Sequence, residues 1–138
     1  MTITIDGGAG ITFPDTVQQT NATTNTGGAP RYYAARAWVT FDSGAPPTIL
    51  SSVNVASITR NGTGDYTITF TSAMPNANYA VAGMGQGTST LVPLIFIDPT
   101  TTPTTSAVRI QVVSVNFPSS GANTAVYDAS RISVVVFA

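Results

Sequence analysis

Lysine, glutamate, histidine and cysteine are all missing from this 138-residue chain, whose charge rests on five arginines and six aspartates. Charged residues make up 8% of it, against about a quarter in an average soluble domain. These absences exclude most catalytic chemistry. No Ser-His-Asp, Cys-His or Ser-Lys nucleophile system can be assembled, and the usual zinc sites are excluded with them. Without cysteine there is no disulfide staple, so either redox compartment is permitted. The start, Met1-Thr-Ile-Thr-Ile-Asp-Gly-Gly, has neither a basic n-region nor an apolar h-region and does not read as a signal peptide. No apolar run reaches the roughly 20 residues of a membrane-spanning helix, and no membrane insertion is expected.

What fills the chain is Thr, Ser, Asn, Gly and Pro interleaved with Val, Ile, Ala and aromatics. This mixture is poor in strong helix formers and rich in strand and turn residues. Hydrophobic residues account for 43% and the net charge is −1, so little electrostatic repulsion keeps copies apart. Such a chain is expected to hide apolar surface against other subunits. Arg31, Arg36, Arg60, Arg109 and Arg131 are scattered singly, which argues against a phosphate-tracking surface and hence against a nucleic-acid partner.

The first thirty residues differ from the rest. Thr16 to Pro30 is almost wholly polar, with nothing to pack a core, so residues 1–30 are expected to form an extended N-terminal arm for attachment or assembly. Residues 31–138 read as one β domain. Ala37, Val39 and Phe41 alternate with Arg36, Trp38 and Thr40, as a half-buried strand requires. Val53–Arg60 and Asp65–Thr71 flank Asn61-Gly-Thr-Gly64 and predict a hairpin. Further strands are expected over 79–83, 91–98, 107–115 and 131–137. The fold class is therefore all-β, a jelly-roll-like β-sandwich of about seven or eight strands. Leu91–Ile97 and Val134–Ala138 are apolar on both faces, so one face of each is expected either to meet a neighbouring chain or to be buried within a thick sandwich.

Candidate chemistry is sparse. Asp6, Asp15, Asp42, Asp65, Asp98 and Asp128 leave a two-aspartate glycosidase formally possible, but each adjoins a turn residue or strand end, where Asp commonly closes turns. Gly83-Met-Gly-Gln-Gly87 lacks the lysine of a phosphate loop and precedes an apolar strand, so it reads as a loop needing glycine dihedrals. No metal or other cofactor is expected. Tyr32, Tyr33 and Trp38 are candidates for sugar contact as well as for packing. Loops carry recognition on a rigid scaffold, so Gln86, Thr88, Ser89 and Asn123 are the candidate receptor-binding residues. Their segments, 84–90 and 118–124, are expected to share one pole with 99–105.

Three dense blocks carry a family resemblance: Tyr32–Asp42, Val53–Tyr66 and Ala73–Tyr79, followed by Asp128–Phe137. Over residues 30 to 138 the chain resembles the C-terminal tip domain of bacteriophage tail-fibre proteins, of the cyanobacterial and marine phage type. Ile11-Thr-Phe-Pro-Asp-Thr-Val-Gln18 resembles an element that often precedes such tips, here without its glycine. The resemblance implies a homotrimer on a phage virion, held by its arm to tail or baseplate proteins, that binds a host-surface polysaccharide or protein without catalysis. With no shaft in the sequence, a short stand-alone fibre is expected. The alternatives are structural decoration of head or baseplate and, remotely, an aspartate-based depolymerase.

Overall fold

The computed structural model describes residues 4–6, 10–12, 18–19, 35–87, 91–116 and 124–138. The chain divides into two compact units, Met1–Tyr33 and Ala34–Ala138. In the first, three short strands pair antiparallel in the order β1-β2-β3: β1 (Thr4–Asp6), β2 (Gly10–Thr12) and β3 (Gln18–Gln19). The polar stretch from Thr20 to Pro30 lies outside the described residues.

The second unit is a β-sandwich. One sheet has the order β5-β4-β12-β8, formed by β5 (Thr48–Val53), β4 (Ala37–Asp42), β12 (Ile132–Phe137) and β8 (Ala80–Gly85). The other is built around β10 (Ala107–Asn116). One edge of β10 pairs with β9 (Leu91–Ile97), and its other edge pairs first with β7 (Asp65–Phe70) and then with β11 (Thr124–Val126). Outside β7 lies β6 (Val55–Gly62). All the pairings are antiparallel. The strand order is not the alternating one of a jelly roll, because β4-β5, β6-β7 and β9-β10 are hairpins that each stay within one sheet.

Side-chain alternation builds the core as the period-two pattern predicts. Ala37, Val39 and Phe41 of β4 and Ile132, Val134 and Val136 of β12 face Tyr66, Ile68 and Phe70 of β7 and Val108, Ile110 and Val112 of β10, all buried. Each of the larger side chains contributes about 1.5–3 kcal/mol on leaving water. Phe41 and Tyr66 meet edge-to-face with ring centroids 5.2 Å apart, joining the two sheets across the middle of the core. The expected hairpin is present, and its turn depends on Gly64, whose φ of 65° is left-handed. A Cβ there would also strike the backbone at Val112 and Tyr127, so the chain has no room for one.

The run expected as one strand from Val53 to Arg60 is two strands in different sheets. Asn54 separates them with a φ of 56° and turns the chain from β5 into β6. Its side chain makes the turn self-sufficient: Nδ2 donates to the carbonyls of Arg36 and Ser72, each at 3.1 Å, and Oδ1 accepts from Ser72 N–H at 2.7 Å. Asn tolerates the left-handed region better than other non-glycine residues. Replacing Asn54 by Ala removes these bonds and adds a left-handed cost of about 1–2 kcal/mol. N54A should therefore be destabilised by at least about 2 kcal/mol in urea unfolding, and N54G, which adopts that φ freely, distinctly less. Equal losses would mean that the backbone conformation is not what the position demands.

Candidate functional site

The recognition residues expected at one pole are only partly within reach. Gln86 is exposed just after β8, where its N–H donates to the Arg131 carbonyl at 2.7 Å. Thr88, Ser89 and Asn123 lie outside the described residues, as do Tyr32 and Tyr33. The strand register nonetheless orders the connections. Leu91 pairs with Asn116, so the start of β9 and the end of β10 lie at the same end of the sandwich as Gln86. Ile97 pairs with Ile110, which puts 98–106 at the opposite end and corrects its expected place beside Gln86. A hairpin's turn and its open ends cannot share a pole.

Gly83 to Gly87 also departs from expectation. The strand β8 runs on through Gly85, and neither Gly83 nor Gly85 has a left-handed φ. These glycines serve close approach instead. A Cβ on Gly85 would lie 2.6 Å from the Pro93 Cβ, and one on Gly83 would lie 3.1 Å from Ile95 Cδ1, so β8 rests its bare inner face against β9.

Three aspartates form two ionic clusters, where the sequence suggested turn closers and, remotely, a glycosidase pair. Asp128 accepts from Arg60 Nη2 at 2.6 Å, Tyr66 Oη at 2.6 Å and Gly64 N–H at 2.7 Å, tying the β6-β7 turn to the segment before β12. Arg109 grips Asp65 through Nε and Nη2 in a two-pronged pair. Its Nε is also 3.0 Å from Asp98 Oδ2, but the Nε–H is given to Asp65, so Asp98 is paired by charge alone there. Asp98 takes its hydrogen bonds from Thr100 instead. Partners 44 and 68 positions apart leave no local spacing to read.

The electrostatics of these carboxylates run one way. Burial pulls Asp128 upward, yet the bonds from Arg60, Tyr66 and Gly64 outweigh it and hold the group below the ordinary carboxylate range. Arg109 lowers Asp65, and the Thr100 hydroxyl and N–H lower Asp98. A glycosidase acid needs a carboxyl held protonated near neutral pH. None of these three is held that way, and all three are engaged in ion pairs. Among the described residues no cluster of three acidic, histidine or cysteine side chains is placed to hold a metal ion.

The most distinctive surface is apolar. On β9 the side chains of Val92, Leu94 and Phe96 point outward and are 54%, 55% and 37% exposed, while Ile95 and Ile97 pack on the core. On the other sheet, Trp38, Thr40, Ala82, Met84, Ser133 and Val135 line a shallow groove of about 380 Å³ across β4, β12 and β8. Met84, at the rim, is 78% exposed. Strands β8 and β9 are the neighbouring edges of the two sheets, so the sandwich has an apolar flank on either side of one edge. No charged side chain lines the groove or stands among the outward residues of β9.

No family model, curated protein or solved structure matches this chain.

The lowered carboxylates fix the direction of acid sensitivity. Asp128, Asp65 and Asp98 have folded-state values below their unfolded ones, so their stabilisation is complete above the ordinary carboxylate range and is lost as pH falls through the lowered values. Melting temperature should be flat from pH 6 to 8 and fall below about pH 4. D128N should start lower, since its amide cannot accept from all three donors, and should show a shallower acid decline. An acid decline as steep as that of the parent chain would remove Asp128 from the account.

Proposed function

We propose that this chain is a non-catalytic virion component of a bacteriophage: a short tail fibre or fibre tip that trimerises and binds a host-surface glycan. The observation that carries the proposal is the uncharged apolar surface on both flanks of the β8-β9 edge. Exposed contiguous apolar surface on a soluble chain marks an interaction site. Because the two flanks differ, a contact between them is head-to-tail, and head-to-tail contacts close into rings when the rotation permits. Three sandwich domains with their β8-β9 edges toward a common axis would cover all six flanks. The resemblance of residues 30–138 to fibre-tip domains supports the phage assignment, and the arm is the natural element to hold other tail or baseplate proteins.

Recognition in this reading belongs to the end of the sandwich that carries Gln86, with Thr88, Ser89 and Asn123 as its partners toward sugar hydroxyls. Single hydrogen bonds of this kind contribute only about 0.5–1.5 kcal/mol each, so adhesion depends on three copies acting together. Decoration of a head or baseplate would use the same flanks without a receptor, and cell adsorption separates the two.

The purified chain at micromolar concentration should sediment as a species of three times its 14.2 kDa mass. L94D, which places a charge on an exposed flank position, should run as a folded monomer with its melting temperature nearly unchanged. Fluorescently labelled trimer should adsorb saturably to strains within a cyanobacterial panel, and the Q86A/N123A variant should adsorb at least tenfold more weakly. A stable wild-type monomer would contradict the assembly, and an intact trimer that adsorbs to no strain would leave decoration as the function.

A further inference from the structure

A second concavity lies at the end of the sandwich opposite Gln86, where β7 ends and β5 turns into β6. It is a pocket of about 230 Å³ lined by Arg36, Asn54, Ser72, Ala73, Met74 and Pro75. Its electrostatics set it apart. Of the arginines within the described residues, Arg60 and Arg109 are consumed by ion pairs with aspartates. Arg36 and Arg131 have no carboxylate partner among the described residues, and of these Arg36 lines a cavity. In a chain with five arginines in all, an exposed arginine that lines a pocket and has no carboxylate partner among the described residues is a concentrated feature.

The walls are rigid where a binding site needs them to be. Asn54 is locked by its bonds to Ser72 N–H and to the carbonyls of Arg36 and Ser72, so it fixes the backbone on both sides of the pocket. Thr71 N–H donates to the Asn54 carbonyl at 3.3 Å, and Met74 N–H to the Thr105 carbonyl at 2.8 Å. The Ser72 backbone is thus engaged while its hydroxyl has no partner among the described residues. Met74 is buried beneath, and Ala73 and Pro75 supply exposed apolar surface.

We propose that this pocket binds the carboxylate of a single sugar acid, such as a uronic acid residue within an acidic polysaccharide. The guanidinium presents a planar fork that matches a carboxylate with two parallel hydrogen bonds. The Ser72 hydroxyl reaches a ring hydroxyl, and Pro75 and Ala73 meet the apolar face of the sugar. A single arginine at the pocket, in a chain of net charge −1, suits a monoanion better than a phosphate dianion. The volume is below the roughly 300–1,000 Å³ of sites for drug-sized ligands, which limits the occupant to about one ring. The site stands apart from the Gln86 end and does not depend on adsorption to cells.

Binding of the full chain to immobilised polygalacturonate, and to the same polymer after its carboxyls are reduced to alcohols, tests this directly. The native polymer should bind, the reduced one at least tenfold more weakly, and added salt should weaken the former. R36Q should lose at least tenfold in affinity for polygalacturonate with its melting temperature unchanged, and R131Q, which removes the other unpaired arginine, should bind as the parent chain does. Equal loss in R131Q would mean general charge attraction and would overturn the site. So would undiminished binding by R36Q, displacement by inorganic phosphate as effective as by free galacturonate, or binding to poly-aspartate as tight as to polygalacturonate. Adsorption to cells that persists in R36Q would leave the fibre reading intact while this pocket fails only if polymer binding is also unaffected.

Discussion

Strand β8 lies against β9 because Gly83 and Gly85 carry no side chains, and much of the molecule's outer character follows from that contact. A Cβ on Gly85 would collide with the Pro93 ring, so any other residue there would push the two sheet edges apart. With the edges together, inward-facing Ile95 and Ile97 join the core, and alternation sends Val92, Leu94 and Phe96 of β9 and Ala82 and Met84 of β8 outward. The apolar flanks are therefore a consequence of packing at one edge. They are not stray hydrophobic residues. Pro93, which has no N–H to offer, also guards β9 against unwanted strand pairing while leaving its face available.

Charge is spent economically inside this frame. Arg60 with Asp128 and Arg109 with Asp65 and Asp98 sit on the sheet of β6, β7 and β10, away from the groove of the other sheet. They hold a turn and two strand ends in place. Removing one partner from such a partly buried cluster strands the other and destabilises the fold, even though the intact pair adds little over apolar packing. The apolar flanks themselves are free of charged side chains, so a partner that covered them would displace no ionic hydration.

Much of this was legible in the sequence because it is local. Alternation placed β4, β7 and the Asn61–Gly64 hairpin, while of the two alternatives for the two-faced Leu91–Ile97, burial within a thick sandwich is excluded by the exposure of Val92, Leu94 and Phe96. The overlooked features depend on distant partners, on small residues or on a broken alternation. The strand β5 was missed because Thr48–Val53 is largely exposed and its alternation is broken by a bulge at Leu50, the extra residue between the Thr40–Ser51 and Phe41–Ile49 pairs. The glycines of β8 were taken for loop dihedrals, since close approach to a strand across the sandwich leaves no mark in the local sequence. The two ionic clusters and the Arg36 pocket likewise join residues that only the fold brings together.

In the proposed trimer unlike flanks of neighbouring copies meet around a common axis, and the chain's lack of cysteine makes this directly measurable. Met84 and Leu94 stand on opposite flanks, so M84C and L94C chains can be oxidised separately, mixed, or combined in one double variant. The account predicts no self-linking by either single variant, covalent dimers in the mixture, and ladders ending at a covalent trimer for the double variant. Efficient self-linking by M84C or by L94C alone would place like flanks together across a two-fold axis and contradict it.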